Sequence, residues 1–596
     1  MSVHLRSTVR RALLLANRTG NGSIAITGQR AALGNASAMG SAAASPNPKP
    51  SIRTNVYENN IVTSPYADCE FHDMTLTQKF FESAVRWPDK IALECGISGR
   101  RYTYNTMSQA VCRFGSALTR MGFIQGEVMG IIAPNLPEFP IAMFGAAGAG
   151  MPVALVNPTY TADEIARQMT LVEATCLFGV SEMAETLKAV AQLCPTVRRI
   201  VLLGPSQDGC VSYQDMMQDS GDLFNDNIKI DIDNDIFILP HSSGTSGLPK
   251  NVMLTHSSVG KNIQQYLQSE GTNNRPATAT HQETYIGLLP FFHSYGMVGL
   301  LLSAVESGAK LVTLPRFDVP SFLKAIDDHQ PTYLHLVPPL VSLLTNLPEL
   351  KAQSYSRVHT IFCGAAPLGA PLAIKLLERF THPVSFQEAY GLTEMSPGVM
   401  MGPLGNKKLG SCGSLLSRTQ AKIVDLETGQ RTLGPHEDGE LYVFGPQAMK
   451  GYYKNQQATD EMIGADGWLR TGDIGHYDED GHFFIVDRLK ELIKVNGFQV
   501  APAELEEVLT THPAIKEAAV IGIPDERVGE LPRAYVVKKP GMESVGECDI
   551  NAFVNAKVSA YKQIKGGIQF CDSVPRSNIG KILRRELRVQ YANSCK

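Results

Sequence analysis

Nine consecutive residues, Ser242-Ser243-Gly244-Thr245-Ser246-Gly247-Leu248-Pro249-Lys250, have the types and spacing to hold phosphate. Small hydroxyl and glycine residues leave backbone N–H groups uncovered. Such a loop can wrap phosphate oxygens while its hydroxyls and one lysine add donors. It is not a Walker A loop, which needs glycine directly before its lysine; here Leu248 and Pro249 intervene and Asn251 follows. The same composition also makes plain surface loops. What favours phosphate is the lone lysine at its end and the company it keeps downstream. Leu289 to Gly296 brings Phe291, Phe292, His293, Ser294 and Tyr295 together, Cys363-Gly364-Ala365-Ala366-Pro367 is small and glycine-bearing, and Glu388-Ala389-Tyr390-Gly391-Leu392-Thr393-Glu394 carries two acids. All three read as loops at strand ends, where open α/β sheets collect ligands. Taken singly, His293 also suits a core or capping histidine, and Tyr390 a packed aromatic.

The segments between these loops must position them. Ile236 to Leu239 reads as a buried strand entering the first loop, and Val252 to His256 leaves it. From about 75 to 240 helical and strand-like stretches alternate: Ile91 to Cys95 and Val128 to Ile132 as strands, Tyr104 to Met121 as a helix, and Thr161 with Glu164 at the spacing of a capping box. Alternation of this kind predicts α/β layers with largely parallel sheets. After about 410 short strands and turns take over, among them Gly439 to Gly445 and Gly467 to Asp473, which predict a β-rich subdomain. A basic segment follows, Val486 to Gly497. The remaining chain alternates again and is long enough for a small domain, with Lys581 in a turn near its end.

A chain of 596 residues needs two or more cores. Its 43% hydrophobic and 19% charged content is that of a soluble globular protein. A formal net charge of -4 gives no electrostatic case for nucleic acid. The eleven cysteines are scattered and odd in number, with no Cys-x-x-Cys, which fits a reducing compartment and no zinc site. The longest apolar stretch, Phe139 to Val156, is broken by Pro140, Gly145, Gly148, Gly150 and Pro152, so we expect a packed helix and strand in place of a transmembrane span. Residues 1 to 57 differ in kind: Arg6, Arg10, Arg11, Arg18, Arg30, Lys49 and Arg53 precede the first acid, Glu58, and Leu5, Val9 and Leu13 would line one helical face. This is the composition of a mitochondrial transit peptide; an unaddressed N-terminal extension, leaving a cytosolic or peroxisomal protein, is the alternative.

Taken together, these segments resemble the adenylate-forming superfamily of acyl-CoA synthetases, 4-coumarate–CoA ligases and beetle luciferases, over roughly residues 70 to 590. The family's phosphate loop resembles Ser242 to Lys250, its aromatic-histidine loop Pro290 to Met297, its adenine-flanking turn Gly364 to Pro367, and its Tyr-Gly-Leu-Thr-Glu motif Tyr390 to Glu394. The ribose motif matches Thr471-Gly472-Asp473, the hinge Asp487 to Gly497, and the final lysine motif Pro575 to Lys581. The resemblance implies an α/β fold. A large N-terminal domain of layered α/β subdomains plus a β-rich subdomain would span 58–487, a hinge 488–490, and a small mobile α+β domain 491–596.

It also implies a two-step ligase: a carboxylate attacks the α-phosphate of ATP, and coenzyme A thiolate then displaces AMP. Ser242, Ser243, Gly244, Thr245 and Ser246 would hold the β- and γ-phosphates with Lys250 nearby, and Glu394, beside Thr393, would ligate Mg²⁺. Gly364, Ala365, Ala366 and Tyr390 would frame adenine, Glu388 and Ala389 would line the nucleotide site near the acyl group, and Asp473 and Arg488 would take the ribose. Lys581 would reach between carboxylate and α-phosphate. For the second step the small domain would turn about Lys490, bringing Lys494, Gly497 and Gln499 to the adenylate. His293 and Tyr295 would line the junction of acid pocket and thiol tunnel, with Phe292, Ser294, Met297 and Val298 beside them. Asn251 for glycine, Glu388-Ala389 for Gln-Gly and Asn496 for lysine depart from the common pattern, and Ser594-Cys595-Lys596 is not a peroxisomal tripeptide.

The expected acid is a medium- or long-chain fatty acid, with an aromatic, 4-coumarate-like acid as the alternative. A luciferase-like monooxygenase, a module loading a carrier domain and a scaffold without activity are the other classes weighed. Beyond acid, ATP and coenzyme A, only peripheral membrane contact is expected as a partner. Residues 1–49 fused to a fluorescent protein should enter mitochondria, and changing Arg6, Arg10 and Arg11 to glutamate should leave the reporter in the cytosol, because import needs the positive amphipathic face. A diffuse wild-type reporter would overturn the address.

Overall fold

The computed structural model describes residues 59–224, 228–242, 250–348, 352–405, 407–489, 491–495, 498–525, 527–558, 560–576 and 580–594. The transit-peptide expectation therefore lies outside the described residues. So do Ser243, Gly244, Thr245, Ser246, Lys490, Asn496 and Gly497.

Two nine-stranded sheets form the body of the fold. The first runs His241–Ser242, Lys250–Thr255, Ile236–Leu239, Val153–Leu155, Met129–Ile132, Cys176–Val180, Arg199–Leu203, Val211–Ser212, with Gly451–Tyr452 beside Lys250–Thr255. Its centre is parallel and buried on both faces, which is why Met129 to Ile132 reads as an unbroken apolar run. The stretch Phe139 to Val156 is indeed a helix, Glu138–Gly148, and a strand, Val153–Leu155. That helix is buried all round, against Tyr104–Arg120. A Cβ on Gly115 would stand 2.7 Å from the Gly145 carbonyl, so the two backbones touch where no side chain fits. The capping box forms as expected: Thr161 N–H donates to Glu164 at 2.8 Å.

The second sheet runs Ser414–Leu415, Gly398–Met401, Ser385–Gly391, Thr360–Cys363, Tyr333–Leu336, Thr284–Gly287, Lys310–Thr313, Ile91–Cys95, Arg101–Thr103. A five-stranded antiparallel sheet holds Val62–Thr63, Gln420–Val424, Gly439–Phe444, Leu469–Tyr477 and Phe483–Arg488, and is the β-rich part expected after 410. The last sheet, Phe498–Val500, Ile493–Val495, Gly529–Lys538 and Ile515–Asp525 with Ile568–Phe570 alongside, packs with helix Pro502–Thr510 around its own core of Leu505, Leu509, Val520, Val536, Ile550 and Val554. A large N-terminal domain and a smaller C-terminal one thus divide the chain.

One reading of the sequence is corrected. Glu388 to Gly391 is not a loop but the end of strand Ser385–Gly391, because an antiparallel partner, Gly398–Met401, extends the pairing past Cys363. Thr471 to Asp473 lies inside strand Leu469–Tyr477 of the β-rich part, where Gly472 at φ 68° kinks the backbone without ending it. Met297 and Val298 sit in the wide helical segment Tyr295–Leu302 and are buried in the central core.

Asn135 anchors the aromatic-histidine loop. Its Nδ2 donates to the carbonyls of Gly287 (2.9 Å) and Leu289 (2.8 Å), and its Oδ1 accepts from Phe291 N–H (2.9 Å). Asn135→Ala would take the side-chain partner from the Leu289 carbonyl and the Phe291 N–H and leave the Gly287 carbonyl with the Leu314 N–H alone. Urea unfolding should show a loss on the order of 2 kcal/mol, with activity falling further as the loop carrying His293 loosens. An unchanged midpoint would show that the anchor is dispensable.

Candidate active site

The site is built on a carboxylate. Asp473 and Arg488 are direct cross-strand partners in the antiparallel sheet, so their side chains share one face. Arg488 Nε lies 2.9 Å from Asp473 Oδ1, and the Tyr390 hydroxyl donates to Oδ2 at 2.6 Å. Thr471 Oγ1 accepts from the Asp473 backbone N–H at 3.1 Å. An ionised carboxylate fixed from both sides presents its remaining lone pairs in one direction, which suits a diol.

Lys581 enters the same neighbourhood. Burial, with Arg488 close by and Asp473 opposing, brings its ammonium down to about 8. The approach depends on Gly580, at φ 81°, where an added Cβ would stand 2.5 Å from Pro339 Cγ of the large domain. His293 completes this end. Burial and then the Lys581 charge pull its imidazole down to about 4, so it stays neutral near pH 7.

A second cluster gathers around Glu394, which is buried. The Tyr452 hydroxyl donates to Glu394 Oε1 at 2.7 Å, and Lys250 Nζ stands 4.8 Å over the Tyr452 ring. Thr393 Oγ1 is 3.2 Å from Ser294 Oγ, which ties this cluster to the loop carrying His293. Among the described residues no group of three His, Cys, Asp or Glu is placed to hold a metal ion. Mg²⁺ commonly takes one or two carboxylates and completes its shell with water and substrate phosphate oxygens. Glu394 beside Thr393, with a phenol orienting the carboxylate, fits that donor set.

The adenine-flanking turn has little room. A Cβ on Gly364 would meet the Ala389 carbonyl at 3.2 Å, and Ala365 sits at φ 73°, a strained conformation of the kind found at ligand clamps. Ala366 follows it in the turn. The Glu388 carboxylate accepts from Gly410 N–H at 2.6 Å and from the backbone of Leu368, just past the turn, and burial lifts it to about 7. Ser242 and Lys250 are cross-strand partners at the neck of the phosphate loop. Lys494 is exposed and pairs across its hairpin with Gln499, whose side chain lies outside the described residues.

The fold therefore brings Tyr390, Asp473, Arg488, Lys581 and His293 to one place, and Lys250, Thr393 and Glu394 to another linked to it. Tyr452, Asn135 and Pro339 were missed in sequence. Tyr452 is 58 positions from Glu394 and follows an ordinary glycine, so no spacing pattern marks it.

These arrangements match a known family. The AMP-binding enzyme family matches residues 80–453, and the AMP-binding enzyme C-terminal domain matches residues 504–581. The chain belongs to the AMP-binding, adenylate-forming enzymes. Among curated relatives, the probable 4-coumarate–CoA ligase 3 of Dictyostelium discoideum is 37% identical over 516 residues, 84% of this chain and 92% of that one. Among solved structures, ATP-bound MatB from Rhodopseudomonas palustris superposes with a TM-score of 0.79 at 26% identity, covering 88% of this chain and 100% of that one. A fatty acyl CoA synthetase of Mycobacterium tuberculosis gives 0.66 at 25% identity, covering 87% and 99%. No helix of the described residues is long and apolar enough to cross a membrane.

For an adenylate-forming enzyme the Gly580–Pro339 contact has a measurable consequence. Gly580→Ala adds both a clash and a strained φ, and should withdraw Lys581 from Asp473 and Arg488. Acid-dependent ATP–pyrophosphate exchange should fall at least about tenfold, with the melting temperature little changed. Full exchange activity would show that this docked arrangement is not the one that adenylates.

Proposed function

We propose that this AMP-binding enzyme is an acid–CoA ligase that forms an acyl-adenylate from a carboxylic acid and ATP and then passes the acyl group to coenzyme A. The observation that carries the reading is a desolvated lysine, Lys581, beside the ion pair Asp473–Arg488. In the first step two anions must meet. Lys581 would offset the charge growing between carboxylate and α-phosphate, with Asp473 holding the ribose and Tyr390 and the Gly364 turn the base. Glu394 would hold Mg²⁺, whose charge offsets that of the phosphates. In the second step the acyl carbon transfers to the thiolate sulfur and AMP leaves. His293, neutral at pH 7, can border that path without adding charge. Lys490 as hinge, and Lys494, Gly497 and Gln499 as the surface facing coenzyme A, belong to the same proposal.

For the acid we favour an aromatic one. Support comes from the relatives named 4-coumarate–CoA ligases and from the Tyr295 ring, which lies behind Gly364 and packs against Phe362. The fatty-acid reading drawn from the sequence keeps one support, the likeness to the mycobacterial fatty acyl CoA synthetase. Following AMP and acyl-CoA with ATP, coenzyme A and a panel of both acid classes decides between them.

The pH profile tests the role of Lys581. Its charged form prevails below about 8 and is lost above. The kcat/KM for adenylation should therefore be level up to about pH 8 and then fall roughly tenfold per unit. Lys581→Ala should be on the order of a hundredfold slower and lack that descending limb, while thioester formation from pre-made acyl-adenylate persists. Equal losses in both half-reactions would overturn the assignment.

A further inference from the structure

The small domain meets the large one at a second place besides Gly580 and Lys581. Strand Phe483–Arg488 is the last of the β-rich sheet, and its Asp487 is 7% exposed. One carboxylate oxygen, Oδ1, accepts from the Arg488 backbone N–H at 2.7 Å. The other, Oδ2, accepts from the backbone N–H of Ala503 at 2.9 Å, in the first turn of the small domain's helix Pro502–Thr510. That helix starts from Ala501, which supplies no side-chain cap. A helix N-terminus with uncovered N–H groups and a positive dipole end attracts a carboxylate. Here the carboxylate comes from 16 positions upstream, across the proposed hinge at Lys490.

Arg584 adds a charge to the same place. Its guanidinium is held inside the small domain, by Glu506 at 2.8 and 2.7 Å through Nη2 and by the Val520 carbonyl at 3.2 Å through Nε. Burial pushes the Asp487 carboxyl up, the Arg584 charge and the two backbone donors pull it down, and Glu491 adds to the upward push. Of these groups Ala503, Glu506, Val520 and Arg584 lie beyond Lys490 and move as one body, whereas Asp487 stays with the large domain. A turn about Lys490 therefore takes Ala503 and Arg584 away from Asp487.

We propose that Asp487 is a positioning residue: by capping helix Pro502–Thr510 from the large domain it holds the small domain in the orientation that presents Lys581, and the cap opens before coenzyme A is used. The inference rests on the two-step ligase reading and its hinge, and deepens both. Gly580 against Pro339 and the cap at Ala503 are two points of contact, and a body held at two points loses most of its freedom to turn. The chemistry also suits a contact that breaks in every cycle. Taking the carboxylate out of water costs free energy that Ala503 and Arg584 offset only in part, so the contact sets orientation and adds little net strength. Once the helix leaves, water takes its place on both the carboxylate and the N–H.

The test uses the full-length enzyme with 4-hydroxycinnamic or decanoic acid, whichever the wild type exchanges faster. Acid-dependent ATP–pyrophosphate exchange reads the first half-reaction, and acyl-CoA formed from the matching pre-made acyl-adenylate reads the second. Asp487→Ala should lower kcat for exchange about tenfold, as the docked population falls, with KM for ATP unchanged and thioester formation unchanged or faster. Ala503→Pro removes the same hydrogen bond from the small-domain side, where proline suits a first helical turn, and leaves Asp487 and Arg488 untouched. It should shift the two half-reactions as Asp487→Ala does. Equal losses in both half-reactions make the cap merely structural and overturn the proposal. A raised KM for ATP in Asp487→Ala places the effect at Arg488 and overturns it too, as does wild-type exchange in Ala503→Pro. Where Ala503→Pro does not fold, the split between half-reactions and the KM for ATP in Asp487→Ala decide. No exchange by the wild type with either acid removes the ligase reading for those acids, and the cap's role with it.

Discussion

The structure depends on one charge arrangement, the Asp473 carboxylate held between the Tyr390 phenol and the Arg488 guanidinium. Two sheets meet there: the end of the second nine-stranded sheet, carrying Tyr390, and the β-rich sheet, whose last strand, Phe483–Arg488, leads into the small domain. Asp473 is buried, and each hydrogen bond to such a charge contributes ~1.5–3 kcal/mol. Losing one partner would leave a desolvated anion and loosen the junction of the two sheets. Its strand geometry is equally constrained, since cross-strand pairing makes Asp473 and Arg488 neighbours wherever the register Leu469–Tyr477 against Phe483–Arg488 is kept.

Against this anion the fold brings a cation. Lys581 lies outside any strand and follows Gly580, whose bare Cα lies against Pro339. Backbone approach of this closeness recurs at Gly364 against Ala389, where the strained Ala365 follows. In each place a side chain has been given up to let backbone or ligand pass, and the strain is carried by well-packed strands on either side.

The electrostatics change along the line from Lys581 to His335. At one end sits an ammonium with a carboxylate beside it; in the middle His293 is held neutral by burial and by that ammonium; at the far end burial pulls His335 down to about 3. Under the proposed ligase reading, an acid would enter with its carboxylate toward the Lys581 ammonium.

How much of this was legible in the sequence varies by kind of interaction. The strands Ile91–Cys95 and Ile236–Leu239, the helix at Tyr104, the capping box at Thr161 and the β-rich region after 410 are local, set by periodicity and capping within a few residues, and the sequence by itself determined them. It also nominated the residues proposed to carry the chemistry, because Ser242, Glu394, Asp473 and Lys581 stand in runs whose residue types have few other uses together. Tertiary structure alone decided their company. Tyr452 on Glu394, Pro339 under Gly580, Asn135 on the His293 loop and Asp487 on the helix at Ala503 are contacts between distant positions, and an ordinary tyrosine, proline, asparagine or aspartate carries no local mark of such a role. The strand that runs through Glu388 to Gly391 was hidden for the same reason: glycine and polar residues read as a loop until a partner, Gly398–Met401, offers its hydrogen bonds. Backbone pairing of that kind is a property of two segments, and a single segment cannot announce it.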